Sequence, residues 1–302
     1  MRTHSLAAVT CFFNPCGYKK PVDNYDAFAS LLDEQRVPLF TIELAIGDDP
    51  FYLAASINTR RVRVPAGNVM WFKERLFNLA VPTIPSRYTK LAFLDSDIEF
   101  DDDNWAERTA SLLDSKVLAQ PFSQGLWLNE DRDASKITPG VLSQFVQGQG
   151  SLTPDTFMDS HPGFAWAGQR WLWEEHGFFD MHVLGGGDRL LALAATNMVS
   201  HSYVSEKLSQ GLREAFMAWA GPFQRAVTGK MGELPGRVIH MWHGDRPADY
   251  YLNRHRILIR HDFDPIADLR RDVNNVYIWA GNKPELAAEV HQYFCNEEFN
   301  AA

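Results

Sequence analysis

The sequence has few cysteines, no long apolar run and no internal repeat, and each absence narrows the class of protein. Three cysteines in 302 residues are too few for a disulfide framework, which favours a reducing cytoplasm. No apolar stretch approaches the roughly 18 residues of a membrane span, so no transmembrane segment is expected. Acidic residues outnumber basic ones by 38 to 29, which disfavours a wide nucleic-acid-binding face but permits a local basic groove.

The composition that remains is that of a globular, enzyme-sized protein. Apolar residues make up 45% of the chain and charged residues 22%, which excludes a disordered or fibrous protein. The N-terminal apolar run Leu6–Phe13 lacks a small-x-small cleavage site. We therefore interpret it as a buried first strand rather than a signal peptide.

The first 120 residues alternate between strand-like and helix-like patterns. Short apolar runs predict strands. Between them, apolar residues that recur every three or four positions predict helices. The predicted strands are Leu6–Phe13, Leu39–Ala45, Leu91–Leu94 and Val117–Pro121, and the predicted helices are Asn24–Glu34, Asn68–Leu79 and Asn104–Leu113. This alternation predicts a mostly parallel α/β sheet flanked by helices.

The second half is less regular, and no linker separates it from the first. Residues 127–159 are polar and predict a long mobile loop, which in a compact domain is often functional. Further predicted elements are helices at Gly168–His176, Asp188–Ala195, Ser205–Val227 (broken at Gly221-Pro222) and Pro284–Phe294, and a strand at Val238–Trp242. We expect a single compact domain.

The segment Leu91-Ala92-Phe93-Leu94-Asp95-Ser96-Asp97 is the most informative in the chain. A buried strand leads directly into two carboxylates, and ligands of open parallel sheets bind beyond the carboxyl ends of the strands. Two acids there repel each other unless a cation lies beside them. The pair indicates a site for Mg²⁺ or Mn²⁺, although a turn capped by acidic residues would also explain it.

Two later segments offer partners for that pair. His243 follows the last predicted strand and precedes Gly244, so it can complete a metal site, with His240 as the competing candidate. The run Leu184-Gly185-Gly186-Gly187-Asp188 predicts a tight turn into a helix. Asp188 is then either a helix cap or a general base that the neighbouring glycines leave accessible.

In combination, these segments resemble the GT-A-fold nucleotide-sugar glycosyltransferases, over roughly residues 8–265. The stretch Phe93-Leu94-Asp95-Ser96-Asp97 matches the family's Asp-x-Asp motif. The resemblance implies that Asp97 binds a divalent cation, Mn²⁺ or Mg²⁺, together with His243. It also implies that Asp95 contacts the nucleotide ribose, or the metal through water.

Other motifs match segments that bind the donor in this family. The resemblance assigns donor contacts to residues of a helix before the motif strand, of the later glycine-containing segments and of the stretch after His243: Lys73, Asn78, Trp166, Gly186, Gly187 and Arg254. Tyr250 and Arg256 are further candidates for contact with the diphosphate. Asp188 matches the catalytic base of inverting members, although Gly-Gly-Gly-Asp departs from the more familiar Glu-Asp pair.

The resemblance thus implies transfer of a sugar from a nucleoside diphosphate donor, a UDP-sugar above all, to an acceptor hydroxyl. Residues 1–120 would form the nucleotide-sugar-binding half of the domain and residues 121–302 the acceptor-binding and catalytic half. The acceptor is left open between a glycan, a lipid-linked glycan and a modified nucleic acid base. A groove of four basic residues would fit the last of these: Arg213, Arg225, Lys230 and Arg237.

Two other functions stay open at the level of sequence. A metal-dependent nucleotidyltransferase would also use paired aspartates, but it needs a basic phosphate loop, for which Asn14–Lys20 is a partial match. A sugar-nucleotide-binding or glycan-binding protein without turnover would retain the binding residues alone.

Overall fold

A computed structural model describes the backbone of residues 5–244 and 248–295, and the side chains of 5–244 and 254–295. The strands, in chain order from β1 to β13, are Leu6–Phe13, Leu39–Ile46, Thr59–Val64, Lys90–Leu94, Ile98–Phe100, Leu118–Gln120, Gln124–Leu128, Ala134–Pro139, Ala165–Gln169, Met231–Glu233, Arg237–His240, Leu269–Arg271 and Tyr277–Trp279. The helices, from α1 to α12, are Lys19–Glu34, Lys73–Ala80, Trp105–Leu112, Val141–Gln147, Pro154–Met158, Arg170–Glu175, Gly187–Ala195, Ser202–Lys207, Gln210–Val227, Ala248–Arg260, Pro265–Asp268 and Pro284–Phe294.

A central seven-stranded sheet has the order β10-β6-β9-β4-β1-β2-β3 within the described residues. Its neighbours pair in parallel except at β9, which runs antiparallel to both β4 and β6. Helices flank the sheet, and a buried apolar cluster fills each of its faces. The predicted single α/β domain with a mostly parallel sheet is confirmed.

A second sheet, of order β5-β11-β7-β8, brings late parts of the chain to the acidic turn. Strand β5 follows Asp97 directly and pairs with β11, so that His240 lies opposite Ile98. On its other side β11 runs parallel to β7, which forms a hairpin with β8. This small sheet joins residues 98–100, 124–139 and 237–240 beside the end of β4.

Several predicted elements differ from the structure. Residues 127–159 are not one mobile loop, because they contain the end of β7, all of β8, and helices α4 and α5. Strand β8 is mostly exposed, so its sequence lacks the alternation of apolar and polar residues that predicts a strand. Strand β3 was also not predicted, and Gly168 belongs to β9 rather than to a helix.

Helix α9 continues through Pro222, so the predicted break at Gly221-Pro222 is wrong. Its buried face, which includes Phe216, Ala220, Phe223 and Val227, stabilises the helix against the loss of one backbone hydrogen bond. The helix predicted to start at Asn68 begins only at Lys73, whereas α1 begins before Asn24, at Lys19.

A disulfide joins Cys16 and Cys295, 279 residues apart, and Cys11 is a buried free thiol. One bridge is not a disulfide framework, but it counts against the reducing compartment that the small number of cysteines favoured. No helix in the described ranges combines the length and the apolar character needed to cross a bilayer.

Candidate active site

A cleft of about 1010 Å³ opens where β1 and β4 end. Its lining comes from both halves of the chain and includes Asp95, Asp97, Asp188, His240, His243 and Arg254. Part of its wall comes from the β7–β8 hairpin, and another part from residues 158–164. The site residues predicted from separate segments therefore meet largely in one cavity.

Backbone hydrogen bonds fix the acidic turn at the mouth of the sheet. The amide of Asp95 donates to the carbonyl of Phe164 at 2.8 Å, and the carbonyl of Asp97 accepts from the amide of Met241 at 2.8 Å. Phe164 has φ +72°, a left-handed conformation that costs energy in a residue with a side chain. These bonds attach the turn both to the start of β9 and to the end of β11.

Asp97 lies between two histidines. Its Oδ2 is 3.4 Å from His240 Nε2 and 3.8 Å from His243 Nε2. One potential ligand atom from each of the three residues lies within 4.8 Å of the others, an arrangement that can hold a metal ion. The sequence left His240 and His243 as alternatives, and the structure brings both of them to Asp97. Asp95 does not belong to this group.

The charge state of the group suits cation binding. Burial raises the pKa of Asp97, but His240 and His243 lower it by more, to about 2, so the carboxylate is ionised. Burial lowers the pKa of His240, whereas Asp97 raises it to a value above normal. Any proton on His240 would have to leave before that imidazole could bind a divalent cation.

Lys73, at the start of α2, connects the acidic turn to the glycine-rich turn. Its Nζ is 2.5 Å from Asp95 Oδ1 and 2.9 Å from Asp188 Oδ2, and its side chain is buried. Burial raises the pKa of Asp95 to about 6, since Asp188 and Asp97 oppose the lowering effect of Lys73. This ammonium group is what holds two like charges close together.

Asp188 lies in the first turn of α7, after a turn that only glycine adopts easily. Gly185 and Gly186 have φ of +80° and +100°. Gly163 approaches Asp188 so closely that a Cβ on it would lie 3.2 Å from Asp188 Oδ2. Arg254 is beside the same turn, because a Cβ on Gly186 would lie 3.0 Å from its Nη2.

Three residues predicted to contact the donor do not line the cleft: Asn78, Trp166 and Gly187. Asn78 is occupied by hydrogen bonds to Asp180 and to the backbone of Phe178. Trp166 is 2% exposed, and its Nε1 donates to the carbonyl of Pro162 at 2.8 Å. Gly187 packs on Glu74. The exposed Arg256 also lies outside the lining, and Tyr250 is outside the described side chains.

Sequence reasoning missed three charged or titratable residues at the site. Glu74, next to Lys73, is buried with its Oε1 unpartnered, and burial and Asp188 raise its pKa to about 8. His161 lines the cleft against Phe164, and burial holds its pKa well below its usual range. Arg189 lines the cleft beside Asp188. Glu74 and Arg189 each had one signal in the sequence, namely a position next to a predicted site residue.

No protein-family model matches the chain, and no curated protein does either. Solved structures give remote similarities. The catalytic domain of Drosophila beta1,4galactosyltransferase 7 in complex with xylobiose is 14% identical with a TM-score of 0.35, covering 64% of this chain and 61% of that one. This chain thus spans less than two thirds of that structure.

Two bacterial structures cover more of the chain. Glucosyl-3-phosphoglycerate synthase from Mycobacterium tuberculosis, in complex with Mn²⁺, UDP-glucose and phosphoglyceric acid, is 14% identical with a TM-score of 0.42, covering 85% of this chain and 77% of that one. S. aureus TarS residues 1–349 are 9% identical with a TM-score of 0.43, covering 95% and 71%. Glycosyltransferases, the class that the motifs suggested, are thus among the similar structures.

Proposed function

We propose that this protein is a metal-dependent glycosyltransferase that moves a sugar from a nucleoside diphosphate donor to an acceptor hydroxyl. The observation that carries the proposal is the meeting of two groups in one cleft. Asp97, His240 and His243 form a potential cation site, and Asp188 lies at the same cavity, bridged to the acidic turn by Lys73.

The atoms that could bind the metal are one carboxylate oxygen and two imidazole nitrogens, a set that suits a divalent transition metal. Mg²⁺ prefers oxygen ligands, whereas two imidazole nitrogens favour a transition metal, so we propose Mn²⁺ rather than Mg²⁺. When bound, the ion would neutralise the negative charge that develops on the leaving diphosphate. Asp97, His240 and His243 would hold it.

The remaining cleft residues supply donor contacts in this proposal. Asp95 would accept a hydrogen bond from the nucleotide, and Arg254 and Gly186 would border the diphosphate and the sugar. A UDP-sugar is the proposed donor. Residues 1–120 contribute Lys73, Asp95 and Asp97 as the nucleotide-binding half, and residues 121–302 contribute the proposed base and both histidines.

Asp188 would act as the general base. It would accept the proton of the acceptor hydroxyl while the acceptor oxygen bonds to the anomeric carbon. The bond from that carbon to the diphosphate oxygen breaks, and the nucleoside diphosphate leaves with the electron pair. Attack from the face opposite the leaving group inverts the configuration. Lys73 would keep the carboxylate of Asp188 oriented before the transfer.

Replacing the base tests this proposal. Asp188→Asn should lower turnover by about 10²–10⁴-fold, the usual contribution of a general base, while UDP and Mn²⁺ still bind. The assay is release of nucleoside diphosphate from nucleotide-sugars with a panel of acceptors. Asp159→Asn, at another residue of the cleft lining, is the matched control. Near-normal turnover in Asp188→Asn would refute the assignment.

The same assay separates the two alternative functions. A nucleotidyltransferase would release pyrophosphate instead, and its phosphate loop lacks support. Asn14 is occupied by hydrogen bonds to Tyr18, and Lys19 and Lys20 do not line the cleft. A protein that only binds sugar nucleotides would be stabilised against unfolding by them but would release neither product.

The structure bears on the class of acceptor and on the cellular location of the protein. None of Arg213, Arg225, Lys230 and Arg237 lines the cleft, and Arg237 pairs with Asp101 at 2.9 Å, which counts against the nucleic-acid groove. Glycan and lipid-linked acceptors remain compatible with the cleft. The cytoplasmic location stays a prediction, and the Cys16–Cys295 disulfide counts against it, since such bonds are rare in that compartment.

A further inference from the structure

The guanidinium of Arg189 lacks an acidic partner. It lines the cleft, lies 5.3 Å from the ring centroid of Tyr203, and donates from Nη1 to Met158 Sδ at 3.1 Å. Among the described residues, no carboxylate oxygen lies within 4.0 Å of its nitrogens. Thioether sulfur is a weak acceptor, so these contacts leave most of the hydrogen-bonding capacity of the guanidinium available.

A second guanidinium lies nearby. Arg254 and Tyr203 border the same turn, because a Cβ on Gly186 would lie 3.0 Å from Arg254 Nη2 and 3.3 Å from the Tyr203 hydroxyl. Burial and the charge of Arg254 hold the pKa of Arg189 below its usual value. The positive charge of Arg254 therefore adds to that of Arg189 at this wall.

The neighbouring backbone adds to the positive potential. Helix α7 begins at Gly187, and the amides of a helix's first turn carry partial positive charge. The acidic residue of that turn, Asp188, is bound to Lys73, so it does not neutralise Arg189.

Asp188 and Arg189 face different parts of the cleft. Asp188 contacts Lys73 and, through it, Asp95 of the acidic turn, whereas Arg189 contacts Met158 of α5 and Tyr203 of α8. An acceptor whose hydroxyl lies at Asp188 would therefore be within reach of Arg189, which lines the same cleft.

We propose that Arg189 binds a phosphoryl group carried by the acceptor. The assignment of this group to the acceptor rests on the proposed function. The anion site itself rests only on the contacts of Arg189. A phosphoryl dianion complements the positive charge of the Arg189 guanidinium, and its oxygens fit the planar fork of arginine. The acceptor would accordingly be a phosphorylated sugar, polyol or lipid rather than a neutral glycan.

Titration of inorganic phosphate tests the anion site without any metal. In EDTA, the wild-type protein should bind phosphate saturably, and Arg189→Met should bind it about tenfold more weakly or worse, the loss expected for a charge-assisted hydrogen bond. Arg213→Met, on a separate cavity, should bind like the wild type. Arg189→Lys keeps the positive charge and should lose less phosphate affinity than Arg189→Met. This comparison separates loss of the charge from a folding defect of the Met variant. Equal binding by wild type and Arg189→Met, or none by wild type, would overturn the inference.

A second titration, of UDP with Mn²⁺, separates the acceptor from the donor. The affinity of Arg189→Met for UDP should equal that of the wild type. A loss comparable to the phosphate loss would assign Arg189 to the donor diphosphate and overturn the acceptor assignment. If the wild type bound no UDP with Mn²⁺, the proposed function would fail instead, and the phosphate titration would still report on the anion site.

Discussion

Asp97, which is half-buried, and Glu74, which is buried, are both acids at the site, but their partners give them opposite charge states. His240 and His243 lower the pKa of Asp97 to about 2 against the effect of burial. Glu74 has an unpartnered Oε1, and burial together with Asp188 raises its pKa to about 8 despite the nearby Lys73. At neutral pH, Asp97 is an anion that can bind a cation, and Glu74 is a neutral acid.

The raised pKa of Glu74 predicts a loss of stability as pH rises. The folded protein keeps the proton up to about pH 8, whereas the unfolded chain releases it near the ordinary value of 4.5. Between these values the native state binds more protons, so its stability falls with pH by at most about 1.4 kcal/mol per unit. Glu74→Gln removes this dependence and should be more stable than wild type at pH 8, but not at pH 4.5.

Urea unfolding at several pH values between 4.5 and 8 measures the difference. Glu285→Gln, at an exposed position, controls for the loss of one negative charge. Parallel stability profiles for wild type and Glu74→Gln would contradict the account.

At the residue scale, a local sequence pattern was enough to locate some of the candidate residues, whose roles stay predictions. Asp95 and Asp97 directly follow a buried strand, and the strand pairing of the sheet then determines where they lie. Asn78 and Trp166 fit the same family pattern, yet their side chains turn to Asp180 and Pro162. The direction of a side chain depends on packing with residues far away in sequence, which a motif does not contain.

Helices α2 and α7 meet at the site through a glycine. A Cβ on Gly187 would lie 2.3 Å from Glu74 Cδ, and Glu74 is 4% exposed, so its carboxyl group cannot turn into solvent. The close approach lets Lys73, one residue before Glu74, reach Asp188, one residue after Gly187. The geometry of the candidate base thus depends on the contact between two elements.

Gly187→Ala should destabilise the protein by about 1–3 kcal/mol, the usual cost of overpacking. Gly221→Ala is the matched control in α9, because the nearest atom to its Cβ would be Arg225 Nη1 at 3.5 Å, and alanine favours a helix. Thermal unfolding measures both. The loss should shrink when Glu74→Ala is combined with Gly187→Ala, and an unchanged loss in that double variant would contradict the proposed contact.

Two of the strands that sequence analysis missed share a physical cause. Strand β8 is mostly exposed, and β3 buries only Val62 and Val64, so neither has an apolar run. Both are strands because a neighbouring strand offers backbone hydrogen bonds. Such long-range pairing is not visible in local periodicity. Because β8 is part of the cleft wall, that wall could not be predicted either.

At the scale of the whole molecule, the disulfide connects the loop after β1 with the end of α12. Cys16, Tyr18 and Phe294 also line the cleft, and Tyr18 donates its hydroxyl hydrogen to the Phe294 carbonyl at 3.2 Å. The bridge therefore holds the last described helix against the wall of the site. It does so across almost the full length of the chain.

Cys16→Ser should lower the stability substantially. A bridge that closes a loop of 279 residues removes chain entropy from the unfolded state, worth about 5 kcal/mol in the loop-closure model. Thermal unfolding with and without reductant measures the effect: the reductant should lower the transition temperature of the wild type but not that of Cys16→Ser. A reductant-independent wild type would contradict this expectation.

The central claim is that Asp97, His240 and His243 bind one divalent cation in the cleft. Titration of Mn²⁺ followed by electron paramagnetic resonance tests it most directly, with Asp159→Ala as a control from the same cleft. The account predicts one Mn²⁺ site in the wild type and in the control. It also predicts loss of more than about tenfold in affinity for Asp97→Ala, His240→Ala and His243→Ala. A wild-type titration curve for Asp97→Ala would contradict it.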